Sequence, residues 1–283
     1  MTTIRCAISP DADDLFMFRG ITERRVDLRG LDFVVDTADT EALNRMASGD
    51  GPEVSAISIA HYPAVRAAYQ LLTHGGSVGR GYGPVVVAAP GRALDLRGAR
   101  IGVPGLSTTA CLVLRLLVPV FTPVVIPIVP ASRAFDALAA GEVDAALLIH
   151  EGRLTFGAHG LEQRLDLGVA WAERTGLPLP LGGNVLRRDL PDQVRRDVDA
   201  VVRASIADGL ADREAAIAWL LARSVAAGGP LRTAAQIDHY LSLYANADTV
   251  DYGADGRLGV VELLRRGADA GWLPPCEVDF FEA

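Results

Sequence analysis

Short apolar runs bounded by turn residues alternate along the chain with stretches whose apolar positions recur every three or four residues. That alternation is the pattern of β-α units feeding a mostly parallel sheet. The spacing predicts strands at Ile4–Ile8, Leu31–Asp36 and Val54–Ile57, each leading into a helix, over Asp13–Gly20, Thr40–Ser48 and Ser58–Ala68. Tyr69–His74 and Pro84–Ala89 read as extended, and Pro90–Gly98 as a polar connection. The pattern then restarts. Ala99–Val103, Val124–Val129 and Val143–Ile149 read as strands, while Ser107–Val118, stopped by Pro119, and Ser132–Ala140 read as helices. Leu177–Leu186 is an extended, Pro- and Gly-bearing return, and Asp192–Gly209, Arg213–Ala227, Thr233–Tyr244 and Gly256–Ala270 are successive helices.

Two α/β blocks and a helical end piece join most simply as two lobes, with the chain crossing near Pro84–Pro90 and again near Leu177–Leu186. This places residues 1–88 plus 187–283 in one lobe and 89–186 in the other. A cleft between lobes is a preferred ligand site, lined by loops that follow strand C-termini.

Composition narrows the partners. The 283 residues carry a formal charge of -8, so neither nucleic acid nor an anionic membrane is expected, and a small molecule is the default partner. All 27 basic residues are arginine, which excludes Schiff-base and P-loop lysine chemistry. Cys6, Cys111 and Cys276 have none of the paired spacings of zinc or redox sites and read as reduced thiols. Acidic residues from Asp11 onward interrupt the N-terminal segment, which lacks a signal-peptide core, so a cytoplasmic location is expected.

Three loops should face the cleft. Ser9-Pro10-Asp11-Ala12-Asp13-Asp14 follows a strand and opens a helix, where Asp13 and Asp14 suit capping and the helix dipole. A Mg²⁺ or Ca²⁺ site from Asp11, Asp13 and Asp14 is the alternative, though without EF-hand spacing. Ala56-Ile57-Ser58 forms the second loop and Pro104–Ala110 the third. Ser107 reads as a cap there, whereas Thr108 and Thr109 serve equally well as caps or as ligand contacts.

The most specific feature is His150, directly after an apolar strand in Ile149-His150-Glu151-Gly152-Arg153. A partly desolvated imidazole at a strand's C-terminal end suits a general base near neutral pH, the alternative being a structural histidine. No second histidine follows at zincin spacing, so no metal is expected. His61, His74, His159 and His239 read as structural. Hydrolase elbows and a Gly-x-Gly-x-x-Gly after the first strand are absent, and Gly79–Pro84 reads as a hinge-side loop.

Taken together, Ser9–Asp14 with Phe16 and Phe18, Gly79–Pro84, Ile149–Arg153 and Gly176-Leu177-Pro178-Leu179-Pro180-Leu181-Gly182 resemble the 1,4-dihydroxy-6-naphthoate synthase family of the futalosine route to menaquinone. The resemblance implies a type II periplasmic-binding-protein-like fold, two α/β lobes joined by two hinge strands, here with a helical C-terminal part. It implies a lyase that takes cyclic dehypoxanthine futalosine, with no metal or organic cofactor. His150 would be the base that starts deprotonation of the ribose-derived part, and ring opening would release the naphthoate. Carried over by position, Asn44, Ala56, Ile57, Ser58, Thr108, Thr109 and Ala110 would contact the carboxylate substrate. Members of the family often have Lys-Leu-Ser at Ala56-Ile57-Ser58 and Cys-Pro-Asn-Asp at Asp11–Asp14. A cation is thus missing beside the carboxylate, which leaves an arginine in its place or a different substrate as the two readings. A solute-binding protein of an importer and a chorismate dehydratase-like relative are the competing functions, and the missing signal peptide and His150 weigh against each in turn.

Overall fold

The computed structural model describes residues 2–91, 94–128, 130 and 132–283. Its strands are β1 (Thr2–Ile8), β2 (Leu31–Thr37), β3 (Val54–Ser58), β4 (Tyr69–Leu72), β5 (Ser77–Gly79), β6 (Val85–Ala88), β7 (Arg100–Val103), β8 (Thr122–Val125), β9 (Ala145–Leu148), β10 (Glu162–Asp166), β11 (Leu179–Arg187) and β12 (Phe280–Phe281). They form two sheets. One has the order β12-β4-β11-β3-β1-β2 with β5 beside β11, and the other β10-β6-β9-β7-β8. β1 pairs in parallel with β2 and β3, and β7 with β8 and β9, as expected of strands separated by helices. The fully buried runs Val85–Ala88 and Ala145–Leu148 lie side by side at the middle of the smaller sheet, covered on both faces.

Several helices carry their own start or stop signals. Asp39 caps Thr40–Ala47 by accepting from the Ala42 amide, Asp166 caps Leu167–Thr175, which ends on left-handed Gly176, and Thr233 with Gln236 makes a capping box for Ala234–Tyr244. One apolar cluster joins the sheets, with Ile57, Ile59 and Tyr62 of the first meeting Ile101, Val113 and Leu147 of the second. Another seats the helical C-terminal part: Phe16, Met17 and Phe18 of Ala12–Thr22 meet Val198, Val202 and Ile206 of Asp192–Ala211 and Tyr240. Burying each such side chain contributes about 1.5–3 kcal/mol. Among the described residues no helix is long and apolar enough to cross a membrane.

The chain passes between the sheets twice, through Arg80–Pro84 and through Gly176–Pro178. Both crossings are pinned. Arg153 donates to the Gly83 carbonyl at 2.5 Å and to Asp166 at 2.7 Å, and a side chain on Gly168 would strike the Tyr82 carbonyl. Trp171 holds the return crossing by donating to the Pro178 carbonyl at 3.1 Å.

Several expectations need correction. β6 belongs to the smaller sheet and β11 to the larger, so the division at residues 88 and 186 misplaces both strands. The crossings precede those strands because each strand finds its partners only after the chain has changed sheets. The strand expected at Val124–Val129 is Thr122–Val125; it is the sheet's edge, where Pro123 costs no ladder bond, and Val129 lies outside the described residues, as do Arg92 and Ala93 of the Pro90–Gly98 connection. Ser58–Ala68 is not one helix: Ser58 ends β3, a 3₁₀ turn spans Ile59–His61, and a single helical turn, Tyr62–Val65, follows with Pro63 inside its start.

Candidate active site

The ends of β1, β3 and β9 open toward one cleft between the sheets. Its wall includes Ser9, Asp13 and Asp14 after β1, Thr40, then Ala56, Ile57 and Ser58 of β3, Thr108, Thr109 and Ala110 at the start of Thr109–Leu117, and Ile149 and His150 after β9. Sequence reasoning therefore brought the right three loops together. It missed Gly182 and Gly183 of β11 and Tyr240 and Tyr244, which also line the cleft. The tyrosines' spacing of four on one helix was the available signal, and it reads equally well as core.

One end of the cleft is a network of hydroxyls and amides. Asn44 is fully buried behind the wall, so it does not itself face the ligand space. Its amide donates to Ser58 Oγ at 3.2 Å and Ser107 Oγ at 2.9 Å, while its carbonyl accepts from the Ser58 amide at 2.9 Å. Ser107 in turn donates to Glu41 at 2.7 Å. The cap of Thr109–Leu117 is Thr108, which accepts from the Cys111 amide at 3.2 Å, and not Ser107, whose hydroxyl is taken up by Glu41 and Asn44. Thr109 Oγ1 accepts from the Ala60 amide at 3.1 Å.

The other end is acidic. His150 Nδ1 lies 2.6 Å from Asp11 Oδ2, and Nε2 lies 3.5 Å from the Thr40 hydroxyl. Asp11 also accepts from the Ser9 hydroxyl, and a carboxylate oxygen of Glu151 lies within 4.8 Å. Asp14 accepts from the Ser9 amide at 2.6 Å, and Asp13 from Ser77 at 2.8 Å and Tyr240 at 2.9 Å. Neither carboxylate caps the helix, contrary to the capping expectation, because each is drawn to a donor outside it. His150 has a left-handed φ of +50°, a conformation that costs a non-glycine residue about 1–2 kcal/mol. Such strain gathers at functional sites.

Burial would lower the His150 pKa, but the charge and hydrogen bond of Asp11, with Asp13 and Glu151 nearby, push it up to about 10. Acids, more than desolvation, set the surroundings of this ring and favour its imidazolium form. Burial alone would raise Asp11, yet His150, Glu151 and Ser9 hold it below its ordinary value. Burial, with Asp13 and Asp11 nearby, pushes Asp14 up to about 8, while burial and Asp11 hold Glu151 well above the carboxylate range. Donor atoms of Asp11, His150 and Glu151 lie within 4.8 Å of one another and form the described group that could converge on a metal ion. In this arrangement His150 Nδ1 and Asp11 are engaged with each other.

The remaining histidines lie away from the cleft. His61 meets Ser48 at 2.8 Å, His74 meets Asp199 at 3.0 Å in the interior, and His159 stacks on Phe135 with centroids 3.9 Å apart. Cys6 and Cys111 are buried thiols and Cys276 a half-buried one. Among the described residues no arginine lines the cleft, so the expected arginine substitute for a lysine at position 56 is not there. The group of positive charge on the wall is His150.

Two sheets joined by two crossings around an interlobe cleft define a protein of the periplasmic-binding-protein fold. A Candida albicans protein described as having that generic fold superposes with a TM-score of 0.70 at 13% identity, covering 98% of this chain and 92% of its own. A model for the family described as menaquinone biosynthesis matches residues 4–269, and the chain belongs to that family. The 1,4-dihydroxy-6-naphthoate synthase of Thermus thermophilus is 38% identical over 276 residues, 97% of each chain. Protein AF1704 of Archaeoglobus fulgidus, also 38% identical, superposes with a TM-score of 0.88 over 96% of this chain and 98% of its own. The chain is accordingly an enzyme of menaquinone biosynthesis acting on a small molecule.

Proposed function

We propose that the protein is a 1,4-dihydroxy-6-naphthoate synthase, a lyase that converts cyclic dehypoxanthine futalosine to 1,4-dihydroxy-6-naphthoate with His150 as general base. The observation that carries this reading is the orientation of His150, whose Nδ1 is held by Asp11 while Nε2 sits at the cleft wall beside Thr40. A ring fixed in this way has one nitrogen committed to its partner and the other available for proton transfer.

The substrate carboxylate has a natural seat at the opposite end. Amides at the start of Thr109–Leu117 and the Ser58 hydroxyl supply donors, and the helix dipole favours an anion there. This seat takes over from the lysine seen at position 56 in other members, so Ala56 and Ile57 serve as apolar wall. The ribose-derived part then reaches toward His150, which removes a proton at Nε2. The electron pair left behind forms a double bond within the opening ribose-derived part, the bond joining that part to the bicycle breaks with its electron pair staying on the bicycle, and the proton held at Nε2 returns to the resulting anion as the bicycle becomes aromatic. Neutral imidazole is the reactive form, so the step draws on the minor deprotonated population at pH 7.

The test is incubation of purified protein with cyclic dehypoxanthine futalosine, followed by absorbance and mass. Appearance of the naphthoate is the expected result. Tight binding with no conversion would overturn the reading in favour of a solute-binding protein.

A further inference from the structure

Resting on that reading, we propose that Glu41 is a positioning residue for the substrate carboxylate: it clasps the loop before Thr109–Leu117 and so sets the spacing of a seat whose halves come from different sheets. One half is the Ser58 hydroxyl at the end of β3 in the larger sheet. The other is the first turn of Thr109–Leu117, which follows β7 of the smaller sheet. Two surfaces that share no strand ladder keep one spacing only if side chains cross between them.

Helix Thr40–Ala47, which follows β2 of the larger sheet, supplies that crossing. Glu41 Oε2 accepts from the Ser107 amide at 3.2 Å and from the Ser107 hydroxyl at 2.7 Å. On the same helix Asn44 donates to Ser107 Oγ at 2.9 Å and to Ser58 Oγ at 3.2 Å, so one helix gauges both halves of the seat. Hydrogen bonds to an ionised carboxylate are roughly twice as strong as neutral ones, which makes Glu41 the firmer hold on Ser107.

Gly105 is a second, independent sign that this approach is built. A Cβ placed on it would collide with the Glu41 carboxylate and lie 2.7 Å from Glu41 Cβ. Its φ is not left-handed, so the glycine serves the closeness of loop and helix and not the turn itself. Glu41 does not stand on the cleft wall, and its action on a ligand runs through Ser107. The Ala60 amide to Thr109 Oγ1 and Asp11 to His150 also cross between the sheets, so losing Glu41 should loosen the Ser107 loop without unfolding the protein.

The experiment compares Glu41→Ala, Glu41→Gln and Gly105→Ala with wild type by KM for cyclic dehypoxanthine futalosine, single-turnover rate and amide hydrogen exchange. Glu41→Ala should raise KM about tenfold and leave the single-turnover rate at saturation within about threefold of wild type, the pattern of lost uniform binding. Exchange over residues 104–110 should quicken about tenfold while exchange over residues 148–153 stays unchanged. Glu41→Gln keeps an acceptor for Ser107 and should bring KM back to within about threefold of wild type. Gly105→Ala should match Glu41→Ala, and the double variant should be no more than about twofold worse than either, because both remove one contact. Exchange that rises equally over both segments would overturn the proposal, as would a Gln variant as impaired as the Ala variant or two substitutions whose effects multiply. Should Gly105→Ala fail to fold, the Glu41 variants still decide. Should wild-type protein make no naphthoate, the functional reading fails while exchange over residues 104–110 still reads the clasp.

Discussion

The two ends of the cleft are built on opposite principles. Around Asn44, Ser58, Ser107, Thr108 and Thr109, the polar atoms are tied by hydrogen bonds to one another, to backbone amides and, at Ser107, to the one carboxylate of Glu41. Around His150, four carboxyl groups crowd one imidazole, and every proton affinity depends on its neighbours. A network of satisfied hydroxyls and amides with a single carboxylate at its edge is rigid, which suits holding a substrate. A crowded acid–imidazole cluster is pH-responsive, which suits moving a proton. The comparison assigns binding to one end and chemistry to the other.

That division is sharpest in the pH dependence of turnover. Because the imidazole rests protonated with its pKa up to about 10, log kcat/KM should rise with pH, about a hundredfold between pH 7 and 9. A profile flat above pH 7 would place the base elsewhere. At the hydroxyl and amide end, Asn44→Ala should raise KM about tenfold and leave the shape of that profile unchanged, because a buried Ser58 amide loses its acceptor. The same loss should cost about 1–3 kcal/mol in chemical denaturation. If Asn44→Ala moved the pH profile instead, the two ends would not be separate.

Stability should divide in the same way. The His150 pKa is raised from 6.5 to about 10 on folding, so its contribution is complete below pH 6.5 and disappears as pH rises through about 10. The stability difference between wild type and His150→Ala should therefore shrink from pH 6 to pH 10 in urea titrations. No such trend is expected for Asn44→Ala. The smallest effect concerns backbone strain alone: His150→Gly should be about 1 kcal/mol more stable than His150→Ala, since both lack the ring and only glycine accepts the left-handed φ. Equal stability would show that the strain is absent in solution.

Much of this was readable in advance, for identifiable reasons. The β-α alternation, the two crossings and the loop positions of Ser58, Thr108 and His150 follow from local periodicity and turn residues. Asp11 on His150 was not legible, because it pairs strand ends from different sheets and no local spacing encodes such a contact. The direction of the His150 pKa was lost with it: desolvation is inferable from an apolar strand, but the acids that outweigh it converge from separate loops. The cap expected at Ser107 falls to Thr108 because Glu41 and Asn44, supplied by another helix, engage the Ser107 hydroxyl. Ala56 in place of a family lysine suggested an arginine, whereas the wall offers helix amides and His150.

The most direct test of His150 is a paired measurement on His150→Ala, with substrate affinity from equilibrium titration and the chemical step from single-turnover quench. The expected result is affinity within a few fold of wild type and a chemical rate lower by ~10²–10⁴. A variant that still forms the naphthoate at the wild-type rate would contradict the account.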